Sequence, residues 1–144
     1  MSDCCGTPKP SNESSCGCGV ESDKVVLLYA CSGGANVGEI SDKAARELMF
    51  KGEGKMFCLA GLGGDIRGMV DTARVADVNL VIDGCPLNCA KKCFDRHGIT
   101  NYVQIKVTDL DIEKCAERCT DEQVAKVTAA AREKLKDLTE KDRQ

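Results

Sequence analysis

The sequence predicts an α/β domain with three α/β/α layers around a mostly parallel, four-stranded sheet. Three observations lead there. Short apolar runs rich in β-branched residues recur at positions 24–31, 55–59, 78–83 and 101–107. The segments between them carry apolar residues three or four apart, the period of a helix with one buried face. Glycine-rich turns separate the two kinds of segment. Strands that alternate with helices need crossovers, which make the strands parallel and leave helices on both faces of the sheet.

Residues 24–31 (KVVLLYAC) read as a buried strand, because the run is apolar without polar alternation. The turn Ser32-Gly33-Gly34-Ala35-Asn36 leads into a helix with Val37, Ile40, Ala44 and Leu48 on one face, ending near Gly52 and Gly54. A short strand at 55–59 (KMFCL) closes in the glycine-rich segment 60–64. A second helix follows, marked by Ile66, Met69, Val70 and Ala73. Residues 78–83 (VNLVID) are the third strand. Gly84-Cys85-Pro86 then turns the chain into a third helix with Pro86 at its first position, Leu87, Ala90 and Phe94 on its buried face, and Gly98 as its stop. Residues 101–107 (NYVQIKV) form the fourth strand. Thr120-Asp121-Glu122-Gln123 is a capping box that opens a last helix carrying Val124, Val127, Ala131, Leu135 and Leu138. The architecture is Rossmann-like, with the domain at 23–140 and a separate segment at 1–22.

That first segment is rich in Gly, Ser and Pro and has little to bury, so it reads as a flexible tail with four cysteines, Cys4, Cys5, Cys16 and Cys18. The 144-residue chain fits one domain. Its 42% hydrophobic and 30% charged residues describe a soluble globule, and no apolar run is long enough to cross a bilayer. With a net charge of −3, interspersed signs, two Tyr, three Phe and no Trp, it lacks both the basic surface and the stacking rings of a nucleic-acid binder. No secretory leader is visible, so the expected location is the cytoplasm. There, eleven cysteines point to metal ligands or redox centres before disulfides.

The cysteines fall where the fold would use them. Cys31 and Cys58 lie at or near the carboxyl ends of the first and second strands. Cys85 directly follows the third, and Cys89 lies one turn into the next helix. The carboxyl ends of a parallel sheet face one side, where such folds bind ligands. With Pro86 at the first helical position, Cys85 would be the N-cap, where free amides and the helix dipole favour a thiolate. Cys89, four residues on, would face the same way. Four thiolates make a closed tetrahedral zinc site, with Cys93 as an additional ligand. The expected cofactor is therefore zinc and the expected partner a metal ion. An iron–sulfur cluster uses the same ligands, and a thiol oxidoreductase or redox sensor using Cys85 and Cys89 remains the alternative function.

Four motifs carry a family resemblance: Cys31-Ser32-Gly33-Gly34, Cys58-Leu59-Ala60-Gly61, the run from Asp83 to Lys92 (DGCPLNCAKK), and Val107-Thr108-Asp109. Through them residues 25–109 resemble the bacterial DGC-domain family, described as zinc-binding. The resemblance implies that Cys31, Cys58, Cys85 and Cys89 are the metal-site cysteines; the function expected for a protein with such a site is metal or thiol homeostasis. It implies no defined reaction, and it leaves the tail and the Cys115/Cys119 pair outside.

Other features have plainer readings. Free cysteines also pack as small apolar side chains. Cys115 and Cys119, four apart, make either a second site or an idle helix-surface pair. His97, at a helix end before Gly98, suits the dipole there. Asp83 and Asp109 end strands on the ligand side, as acids, supporting acceptors or turn formers. Residues 33–38 have the glycine spacing of a phosphate loop, but Glu39 and Ile40 stand where Lys and Ser/Thr are needed. Residues 61–64 lack the third glycine of a dinucleotide fingerprint, since Ile66 occupies it. A phosphatase loop after Cys31 would need an Arg that the sequence does not have there. The glycine turn keeps a weaker role, as a nest for an anion.

Overall fold

A computed structural model describes residues 24–141, so the tail, its four cysteines and the boundary at residue 22 lie outside the described residues. The elements follow in the order β1 (Val26–Ala30), α1 (Asn36–Phe50), β2 (Lys55–Met56), α2 (Leu59–Gly63), α3 (Arg67–Val75), β3 (Val78–Asp83), α4 (Cys89–Arg96), β4 (Tyr102–Lys106), a 3-10 turn (Val107–Leu110) and α5 (Asp121–Lys141). The four strands form one sheet in the order β2-β1-β3-β4. Every pairing is parallel, with Leu28 opposite Leu80 and Leu80 opposite Val103 in the central register.

The sheet is covered on both faces, and the period of two along its strands sorts the core. Leu28, Ala30, Leu80 and Ile82 face α1 and α5, packing with Val37, Ile40, Ala44, Leu48, Val124 and Val127. Leu27, Tyr29 and Val81 face the other way, onto Leu62 of α2, Val70 and Ala73 of α3, and Ala90 and Phe94 of α4. Leu28, Leu80 and Ile82 are fully buried, each contributing about 1.5–3 kcal/mol of hydrophobic stabilisation. Tyr29 and Phe94 meet edge to face at 4.9 Å. This is the three-layer α/β/α arrangement expected from the sequence.

Two segments depart from the expected elements. The glycine-rich stretch after β2 is a short helix, α2, instead of a turn. Its Gly61 allows close packing, because a Cβ there would overlap Met69 Sδ of α3. The helix after β3 starts at Cys89, with Asn88 as its N-cap in the left-handed region (φ 52, ψ 48). Pro86 therefore lies in a loop ahead of the helix. The capping box of α5 forms as expected: Thr120 N–H donates to Gln123 Oε1 and Gln123 N–H to Thr120 Oγ1. Among the described residues no helix is long and apolar enough to cross a membrane.

Candidate functional site

The strand order contains a switch point. β1 leads into α1 on one face of the sheet, whereas its neighbour β3 leads into α4 on the other. The chain diverges above this central pair at the carboxyl ends, the usual ligand position in open α/β sheets. Cys31 follows β1 there, and Gly84 and Cys85 follow β3.

The switch point is tightly built. Cys31 N–H donates to Ile82 O at 2.8 Å. Gly84 sits against α1, where a Cβ would come within 3.1 Å of the backbone carbonyl of Val37. Asp83 is fully buried, and its carboxylate gathers three donors: Ala90 N–H at 2.7 Å, Lys91 N–H at 3.0 Å and Gln104 Nε2 at 2.8 Å. Two of these are orphan amides at the start of α4, so the buried anion sits where the helix dipole favours it. Gln104 also donates to Asn88 Oδ1 at 3.0 Å. Asp83 and Gln104 thus hold the loop 84–89, including its left-handed residue. That loop exposes Leu87, at 58%, and Cys89.

The expected zinc site is not borne out. Among the described residues no group of three or more His, Cys, Asp or Glu side chains is placed to hold a metal ion. The physical reason lies in the spacing of the sheet. Zinc ligands all lie about 2.3 Å from the metal, yet the elements carrying Cys58 and Cys85 leave β2 and β3, which flank β1. Two strand spacings separate those tops by roughly 10 Å. The same finding removes the iron–sulfur alternative, the metal ion as partner and the role in metal homeostasis. The dithiol reading of Cys85 and Cys89 falls with them: the seven described cysteines are all free, and Cys85 is not the N-cap. The amides at the observed helix start are those of Ala90 and Lys91, and they bind Asp83 and not a thiolate.

The thiols have distinct surroundings. Cys31 is half-buried and its pKa is raised, chiefly by burial, with Cys89, Asp83 and Cys85 adding negative charge and the Gly84 amide opposing. Cys93 is also raised, first by burial and then by Cys89 and Asp83. Cys85 is buried, with Lys114 Nζ 3.7 Å from its sulfur. Cys58 and Cys89 are exposed. His97, the C-cap of α4, contacts Leu62 O through Nε2 at 2.7 Å and ties α4 to α2. Asp109 is an exposed partner of Lys106 at 3.0 Å. In the glycine turn, Asn36 N–H donates to Cys115 O, and within the first turn of α1 Gly38 N–H donates to Ala35 O.

A family model described as the DGC domain matches residues 27–131. The chain belongs to the DGC-domain family. The match extends over Cys115 and Cys119, which the sequence motifs had left outside. A curated relative, the "Anaerobic and virulence modulator AnvM" of Pseudomonas aeruginosa strain PAO1, is 36% identical over 92 residues, covering 64% of this chain and 70% of its own. No solved structure matches the chain. Within this DGC domain, sequence reasoning missed Gln104 and Asn36. Asn36 is 2% exposed and clamps the segment before α5, donating to Glu113 O at 2.9 Å and accepting from Cys115 N–H at 2.8 Å. Gln104 carries a signal, a polar residue inside the apolar run 101–107, whereas Asn36 sits in the glycine turn and carries none.

Proposed function

We propose that this protein is a regulatory module that works by contact, with the loop 84–89 as its recognition element. The carrying observation is how that loop is held. A fully buried carboxylate, two helix amides and a glutamine fix a left-handed asparagine and leave Leu87 facing outward. Backbone strain retained at a non-glycine position is a feature of functional sites, and the loop lies at the switch point where such folds bind. The exposed thiols Cys58 and Cys89 border the same carboxyl edge, with Cys31 and Cys85 beneath. In this reading they are contact groups and not ligands of a metal. The relative's description as an anaerobic and virulence modulator supports a regulatory role.

Complementation tests this. In a host deleted for the gene, the wild-type chain is expected to restore the transcript profile of oxygen-limited growth. Leu87→Asp is expected to abolish restoration while the purified variant keeps its melting temperature. A deletion without effect on transcripts would overturn the regulatory reading, and full restoration by Leu87→Asp would overturn the role of the loop.

A further inference from the structure

Away from the carboxyl-edge loop, three chemically complementary groups meet where the segment before α5 crosses α1. Lys43 Nζ lies 3.3 Å from Cys119 Sγ and 2.8 Å from Glu39 Oε1. The other oxygen of Glu39 accepts from Cys119 N–H at 3.3 Å. Asn36, Glu39 and Lys43 recur at helical spacing along α1, and all three hold the segment 113–119. Thr120, next to Cys119, is fixed by the capping box of α5. The thiol is half-buried, so a small reagent can reach it while its place against the lysine is set from both sides.

We propose that Cys119 and Lys43 form a peroxide-dependent covalent pair, closing to a sulfur–nitrogen bond that ties this segment to α1. A cysteine beside a lysine and partly open to solvent has the surroundings of a reactive thiol. In the first step sulfur attacks hydrogen peroxide. The O–O bond breaks, sulfur loses two electrons and takes a hydroxyl, and the second oxygen leaves as water, giving a sulfenic acid. In the second step the Lys43 nitrogen attacks that sulfur. The S–N bond forms, the S–O bond breaks, and the hydroxyl leaves as water with one ammonium proton. The other proton passes through the Glu39 carboxylate to solvent.

Sulfenic acids are known to close on a backbone nitrogen in this way, and here an amine already stands at contact distance. Hydrogen bonds to Glu39 and then to Cys119 hold the Lys43 ammonium in its charged form. A dithiol reductant reverses the link by displacing nitrogen from sulfur and then reducing the mixed disulfide.

The test treats the full chain with hydrogen peroxide and maps tryptic peptides by mass spectrometry, with and without reductant. The expected product joins residues 25–46 to 119–126, uncut after Lys43, two hydrogens lighter than the separate peptides and cleaved by dithiothreitol. It persists in Cys31→Ser, which excludes a disulfide through Cys31, and disappears in Cys119→Ser. In Lys43→Arg the cation stays but the link cannot form, so a carbon-acid trap for sulfenic acids should label Cys119 several-fold more than in wild type. Absence of the joined peptide in wild type, or its survival in Lys43→Arg, would overturn the proposal. So would linkage of Cys85 to Lys114 in its place.

Discussion

Replacing Asp83 by Asn exchanges a carboxylate oxygen for an NH2 group at a point where three donors already converge. The asparagine oxygen can keep the 2.7 Å bond from Ala90 N–H. Its NH2 then faces Lys91 N–H and Gln104, which in the native protein donate at 3.0 and 2.8 Å. Gln104 can turn its amide and offer oxygen, but a backbone N–H cannot. One charge-assisted bond is lost, worth about 1.5–3 kcal/mol. The favourable placement of an anion at the start of α4 adds about 0.3–1 kcal/mol. The expected loss is therefore about 2–4 kcal/mol, or roughly 10 °C in Tm for a domain of this size. Urea unfolding followed by circular dichroism measures it, with the midpoint lowered and the slope unchanged. Leu87→Ala, at an exposed position on the same loop, should change stability by less than about 0.5 kcal/mol. A loss below about 0.5 kcal/mol for Asp83→Asn would refute the view that this carboxylate holds the loop and the start of α4.

Three further outcomes follow from single features. Gly38→Ala would put a Cβ 2.8 Å from the backbone nitrogen of Gly33; the clash should outweigh alanine's helix preference of about 1 kcal/mol, so Tm falls, and a rise would show that the turn yields. Tyr29→Phe keeps the ring contacts to Phe94 and Phe57 and removes a buried hydroxyl without a hydrogen-bond partner among the described residues. Denaturant titration should show a gain of about 1 kcal/mol; a loss would mean that the hydroxyl is bonded. Burial raises the Cys31 and Cys93 thiols above the ordinary value of 9.0, so alkylation of either should rise at higher pH in folded protein than in urea. The unfolded chain releases these protons first, so their contribution to stability is full below pH 9 and declines above it; superimposable alkylation profiles would refute the shift.

Much of the fold was legible because its signals are local. The apolar runs at 26–30 and 78–83 and the 3.6-residue period of α1 and α5 specify element type without knowledge of neighbours. The start of α4 was not legible, because what fixes it is not local. Pro86 is a good first helical residue in isolation, but the Asp83 carboxylate reaches amides seven and eight residues on and moves the start to Cys89. The carboxyl-edge placement of Cys31, Cys58, Cys85 and Cys89 follows from parallel topology. Topology does not give the distances between side chains, and a metal site depends on those. The strand order β2-β1-β3-β4 was needed to see that Cys58 and Cys85 lie on opposite sides of β1. Cys119 was an unassigned helix-pair cysteine in the sequence because its lysine lies 76 positions away.

The same strand order also governs when the domain can assemble. β1 pairs with β3 in a register that joins Val26 to Val78, so the central pair closes around all of α1, β2, α2 and α3. During synthesis β1 has only the two-residue β2 to pair with until β3 has been made. The α1 face of the sheet is completed later still, because Val124, Val127 and Ala131 come from the last helix. Long-range pairing of this kind slows folding and prolongs exposure of apolar surface. Nascent chains halted between β3 and α5 should therefore be the species most dependent on chaperones and most prone to aggregation.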